Sequence, residues 1–131
     1  MSSEHNNVDN PANYKIGASF YGKDYCVHFD RDTIRALGCP RYIVIKVKKD
    51  MTSFIVLPAE AKEAMSFRVP QNLFEGNVKM RIHSQGFVVD MFEKNNWNIN
   101  ASYRVEGKFL PQNQVALFEL KNAKCFNSSM N

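Results

Sequence analysis

The hydrophobic periodicity of this chain changes twice in the same order, and that double change constrains the fold more than any other feature. Ile16, Ala18 and Phe20 alternate with smaller or polar neighbours, and so do Tyr25, Val27 and Phe29. Side chains two apart share one face of a strand, so both runs read as strands. Gly22-Lys23-Asp24 between them is turn chemistry, which makes 16–29 a hairpin. At Asp30 the period shifts. Asp30 or Asp32 is a suitable N-cap, Ile34 and Leu37 stand at helical spacing, Gly38 suits the position just past a helix end, and Pro40 follows. A short helix over 32–37 is expected. Alternation returns with Ile43, Ile45 and Val47 inward, and Phe54 to Leu57 comes back as a strand after the polar turn at 49–52.

The second half repeats this order. Val78, Met80 and Ile82 alternate, with Lys79, Arg81 and His83 on the opposite face. Ser84 is a candidate cap, and Phe87, Val88, Met91 and Phe92 form a helical stripe that Asn95-Asn96 breaks. Tyr103, Val105 and Phe109 then line one strand, and Val115 to Leu120 returns after the loop at 110–114. Residues 59–66 have helix propensity but no strong amphipathic face, so a linker helix and an irregular connector are equally expected. A short extended piece follows at Phe67 and Val69. The expected fold is mainly β (α+β): a pseudo-twofold β-α-β-β repeat. Its units are 14–58 and 67–126, within one domain over 14–126. About 50 residues make only a marginal core, so the halves should share one.

The flanks differ in kind. Residues 1–13 hold four Asn, two Ser and a Pro, with Val8 the lone large aliphatic after Met1. They are expected to form a disordered arm, and 127–131 a disordered tail. The start has no basic segment followed by an apolar one, and no apolar run approaches the ~20 residues needed to cross a bilayer. A cytoplasmic location is therefore expected. Three cysteines cannot make a fully paired disulfide scaffold.

All 17 Lys and Arg lie beyond residue 13, against 11 of the 13 acids, so this part of the chain carries net +6. The two units hold +3 each, as 9 basic against 6 acidic residues over 14–66 and 8 against 5 over 67–131. An acidic nucleic-acid mimic is excluded, and an anionic partner is favoured.

The stretch Val27-His28-Phe29-Asp30-Arg31-Asp32-Thr33-Ile34-Arg35-Ala36-Leu37-Gly38, followed by Ile43 to Val47 and Phe54 to Pro58, resembles the SpoVT/AbrB-like, MazE-type DNA-binding domain. The resemblance covers about 35 residues of the first half and only the order of elements in the second. It implies a swapped-hairpin, cradle-loop-like barrel, here with both units on one chain. Asp30 stands where that family usually has Pro, and the second unit lacks its helix-ending Leu-Gly. The resemblance matches the family's basic positions best at Arg35, with Lys23 nearby.

The candidate nucleic-acid-binding residues are Lys15, Lys23, Arg31, Arg35, Lys79 and Arg81. If the halves are symmetry-related, these fall on one side and can meet phosphates. The alternative is a solvated face with local ion pairs, since Asp30 and Asp32 lie beside the arginines. Phe87, Phe92 and Trp97 are expected either to fill the core, with Trp97 capping the barrel end, or to form a protein-interaction surface. Cys26 and His28 share a strand face, but no second ligand pair accompanies them, so no metal site is expected. No phosphate-binding Gly-rich loop or strained nucleophile turn is present, and no cofactor, small-molecule substrate or enzyme activity is expected.

Together these residues describe a non-enzymatic transcriptional regulator that binds double-stranded DNA. The alternatives are a protein-binding accessory or phage-type inhibitor module acting on a larger nucleoprotein, and a chain with one purely structural half that only forms homo-oligomers.

Overall fold

The computed structural model describes residues 13–76 and 78–128. The expected arm, apart from Asn13, and residues 129–131 of the expected tail lie outside them. The described residues form β1 (Gly17–Tyr21), β2 (Cys26–Phe29), α1 (Arg31–Ala36), β3 (Tyr42–Val47), β4 (Ser53–Ala59), β5 (Ser66–Arg68), β6 (Met80–His83), α2 (Gln85–Lys94), β7 (Ala101–Leu110), β8 (Val115–Glu119) and β9 (Lys124–Ser128). A single 3-10 turn, Leu120–Asn122, precedes β9. No helix among these residues is long and apolar enough to cross a membrane.

Eight strands form a nearly closed, antiparallel, barrel-like sheet in the order β5-β3-β4-β8-β7-β1-β2-β6, and β9 pairs with β7. Strands distant in sequence meet throughout. β2 lies against β6, with Cys26 opposite His83 and Phe29 opposite Met80. β4 lies against β8, with Phe54 opposite Phe118. The β3–β4 hairpin is flanked by β5 and β8, while the β7–β8 hairpin is flanked by β1 and β4.

The core follows the alternation. Ala18, Phe20, Val27, Phe29, Ile43, Ile45, Phe54, Val56, Met80, Ile82, Val105 and Phe118 are all buried on the inner face. Phe54 and Phe118 stack with centroids 4.9 Å apart, and Phe29 meets Phe118 edge-on at 5.7 Å. Gly107 sits opposite Phe118 because a Cβ there would lie 2.9 Å from that ring and 2.7 Å from the Leu117 carbonyl oxygen. Tyr25 departs from the expected inward face. It occupies the β1–β2 turn at φ 49 and is exposed.

Both helices end in the same way. After α1, Gly38 at φ 87 donates its N–H to Arg35 O, and Cys39 donates to Ile34 O. After α2, Asn96 at φ 56 donates to Glu93 O, and Trp97 donates to Phe92 O. These are paired Schellman hydrogen bonds around a left-handed residue, a conformation that Gly adopts freely and Asn tolerates. Asn96 thus does for α2 what Gly38 does for α1. The caps place Ser84 at the position of Asp30.

Two segments depart from their sequence reading. The helix propensity of 59–66 is not realised: Ala59 ends β4, Ser66 begins β5, and the link between them is irregular. A segment this short with no apolar face to pack does not sustain a helix. At the other end, Asn127 and Ser128 belong to β9 and not to a disordered tail, because their backbone pairs with Ser102 and Ala101.

Candidate nucleic-acid interface

Helix α1, the outer faces of β1 and β2, and Lys79 just before β6 border a groove of about 460 Å³. Lys15, Arg31, Arg35 and Lys79 line it, together with His28 and Asp30. Four of the six basic residues singled out in the sequence therefore converge, although Lys15 and Lys79 lie at opposite ends of the described chain's first eighty residues. The β2–β6 pairing brings them together, and Arg81 stands directly opposite His28.

The acids of the groove are already matched. Arg104 reaches Asp30 through two hydrogen bonds, Nη1 to Oδ1 at 2.8 Å and Nη2 to Oδ2 at 2.5 Å, and its Nε donates to Glu106 at 3.0 Å. This two-pronged geometry suits a planar guanidinium. Asp30 and then Glu106 hold Arg104 more firmly charged than an ordinary arginine, against the opposing effect of burial. Engaged this way, the Asp30 carboxylate makes no cap bond to α1 although the residue sits at its N-cap. Gly17 makes the pair possible, since a Cβ there would lie 2.0 Å from Arg104 Nη2. Thr33 fastens α1 to the same spot, accepting from Gly17 N–H at 3.0 Å and donating to Gly17 O at 3.3 Å. Asp32 pairs with Arg35 at 2.6 Å, both half-exposed. Among the described residues Lys15, Lys79 and Arg81 make no ion pair, so the groove's unmatched charge is positive.

That charge acts on His28. Its imidazole lies 4.6 Å from the Tyr21 ring. Burial first, then Arg81, Lys79 and His83, hold its pKa below the ordinary 6.5, with Asp24 opposing weakly. The register extends the outer face into a row across five strands: Arg81, His28, Ser19, Arg104 and Lys124 stand opposite one another in turn. At the usual strand spacing this row runs roughly 20 Å.

The remaining sequence candidates are placed elsewhere or used otherwise. Lys23 lies in the β1–β2 turn, at the far end of the hairpin from Lys15, and does not line the groove. Arg31 lines it, but its Nε and Nη2 donate to the carbonyls of Val78 and Gly76 at 3.1 and 2.8 Å. It is chiefly a clamp on the segment before β6, because those donors are already committed. The expected protein-interaction patch is not formed by Phe87 and Phe92, which are 7% and 2% exposed. They pack against Phe20, Phe54 and Trp97, where the barrel end needed filling. Trp97 is half-buried, stacked on Tyr103 at 4.6 Å and edge-on to Phe20 at 5.4 Å, closing the barrel end.

Cys26 is buried on the His28 side, and burial raises its thiol pKa. Among the described residues no three His, Cys, Asp or Glu side chains cluster as a metal site. Sequence reasoning passed over His28, Arg104 and Lys124 as members of a basic surface. Alternation marks His28 and Arg104 as outward-facing, but only the register aligns them. A comparison of the chain with protein-family models, curated proteins and solved structures finds no match.

Proposed function

We propose that the chain is a non-enzymatic, duplex-DNA-binding regulator whose basic groove seats on the phosphate backbone. One observation carries this reading: Lys15, Arg35 and Lys79 line a single groove beside Arg81 and His28, while the groove's acids are matched by Arg104 and Arg35. A surface with unmatched positive charge favours a polyanion, and release of condensed counterions supplies the affinity. Lys15, Lys79 and Arg81 meet phosphates, Arg35 at the exposed side of α1 approaches the groove edge, and Arg31 supports the surface from behind. No cofactor is needed.

We read the fold as a duplicated β-α-β-β unit of the SpoVT/AbrB-like kind. The pairing supports this. Exchanging β1 with β5, and β2-α1-β3-β4 with β6-α2-β7-β8, maps six of the seven neighbour pairings in the sheet order onto one another, β1–β2 alone having no counterpart. Each inner hairpin lies between strands of the other unit, which is the sense in which hairpins are swapped. The matching helix ends at Gly38 and Asn96 point the same way.

The test is duplex binding, followed by fluorescence anisotropy as salt rises. Three phosphate contacts predict a log–log slope of about −3. Lys79→Ala should make that slope shallower by about one. The double variant Lys15→Glu, Lys79→Glu should bind at least about tenfold more weakly while remaining folded. Absence of binding to any duplex at low salt overturns the reading. A full-strength double variant overturns the site.

A further inference from the structure

A second cavity, of about 490 Å³, opens just past the end of α1, where the segment after that helix and the start of β3 meet β5 and the residues that follow it. Arg41, Tyr42, Arg68, Gln71 and Phe74 line it. Tyr42 stands opposite Arg68, and Val69 N–H donates to Arg41 O at 2.8 Å, so the backbone holds the two arginines as neighbours. Both are exposed, and among the described residues neither guanidinium makes an ion pair or a hydrogen bond. Two adjacent cations without an acid are an arrangement that an anion completes, and a guanidinium fork matches phosphate oxygens.

Three further features make the site more than an anion hole. Its volume lies within the range of small-molecule pockets and exceeds what inorganic phosphate fills. Phe74 and Tyr42 supply aromatic surface, on which any nucleobase can stack. Gln71 supplies both a donor and an acceptor for a base edge. The wall is also held in place: Arg35 lies over the Phe74 ring with its guanidinium carbon 4.5 Å from the centroid. Arg35 lines the first groove and Phe74 the second cavity, so that contact is the partition between them.

We propose that this cavity binds a nucleoside monophosphate unit, its phosphate between Arg41 and Arg68 and its base against Phe74 and Tyr42. The unit is either a free nucleotide or an unstacked nucleotide of a strand. The cavity uses cations different from those of the duplex groove, so the two readings stand separately.

The experiment is calorimetric titration of the full chain with AMP, inorganic phosphate, adenosine and a short 5′-phosphorylated single strand. AMP should bind at least about tenfold more tightly than phosphate or adenosine alone, because only AMP engages both the arginines and the rings. Arg41→Ala and Arg68→Ala should each weaken AMP by about tenfold or more, and Arg41→Lys and Arg68→Lys by less, since charge remains while the fork is lost. Lys108→Glu, on β7 and outside the cavity's lining, serves as a charge control that leaves AMP binding unchanged. Circular dichroism confirms that each variant is folded. Tighter binding of AMP than of the strand assigns a free nucleotide, and the reverse assigns a strand. No binding of AMP, equal affinity for AMP and phosphate, or full binding by the folded Arg→Ala variants overturns the proposal. Loss of duplex binding with intact AMP binding overturns only the groove reading.

Discussion

Helices α1 and α2 hold corresponding places in the order of elements and end in the same pair of hydrogen bonds, yet they serve the molecule differently. Helix α1 has six residues and turns a charged side outward, with Asp32 and Arg35 half-exposed and Ile34 its main buried anchor. Helix α2 has ten residues, about one turn more, and buries Phe87, Val88, Met91 and Phe92. The added turn goes with a different task. α2 plugs one end of the barrel under Trp97, whereas α1 stands as a wall between two basic cavities. Two helices at corresponding places in the chain can thus differ in task, one filling the core and the other making a surface.

The sharpest way to break this comparison is to weaken each helix in turn. Phe92→Ala should destabilise the fold by about 3–5 kcal/mol, as loss of a buried aromatic does, measured by urea unfolding. Arg35→Ala should cost no more than about 1 kcal/mol, because its ion pair is exposed and its contact with the Phe74 ring is similarly weak, while weakening duplex binding. Equal losses in stability would erase the distinction between plug and wall.

The shared helix ends provide a test of intermediate size. Gly38→Ala and Asn96→Ala should each cost about 1 kcal/mol in thermal unfolding, since both residues are left-handed and a Cβ-bearing residue other than Asn resists that conformation. The exchange variants Gly38→Asn and Asn96→Gly should be tolerated far better than either alanine. If one site accepts alanine freely, the two ends are not equivalent.

The smallest effect concerns pH. His28 has a lowered pKa in the folded chain, so below 6.5 the unfolded chain takes up the proton more readily. His28's contribution to stability is therefore fully present above 6.5 and falls as pH drops through the lowered folded value. Binding of a polyanion offsets the field of Arg81 and Lys79, so duplex affinity should rise as pH falls below 6.5. His28→Gln should flatten both profiles in unfolding and anisotropy measurements.

Much of this architecture is legible in the chain because burial on one face imposes alternation, and caps and left-handed residues punctuate it. Ala18 and Phe20, Ile43 and Ile45, and Met80 and Ile82 all point inward as their spacing predicts, and Gly38 ends α1. What alternation does not carry is register between distant strands. The pairing of β2 with β6 places Arg81 beside His28, and no local signal specifies that neighbour. Arg31 looks like a free cation on a helix because its carbonyl partners lie 45 and 47 residues away. β9 escapes notice because Lys124, Cys125 and Phe126 show no apolar alternation. Its backbone bonds to β7 hold it, and Lys124, Cys125 and Phe126 are exposed.

The long-range pairing of β1 with β7 has a consequence for how the chain is made. Ser19 waits for Arg104, and Phe54 waits for Phe118. During synthesis from the N-terminus, β1 to β4 leave the ribosome with Phe20 and Phe54 lacking the strands that cover them, until β7 and β8 follow. Domains dominated by such distant contacts fold in about milliseconds to seconds, not microseconds. The nascent N-terminal half thus spends its early life as a sticky, half-finished sheet, and the β7–β8 hairpin is the part that seals it.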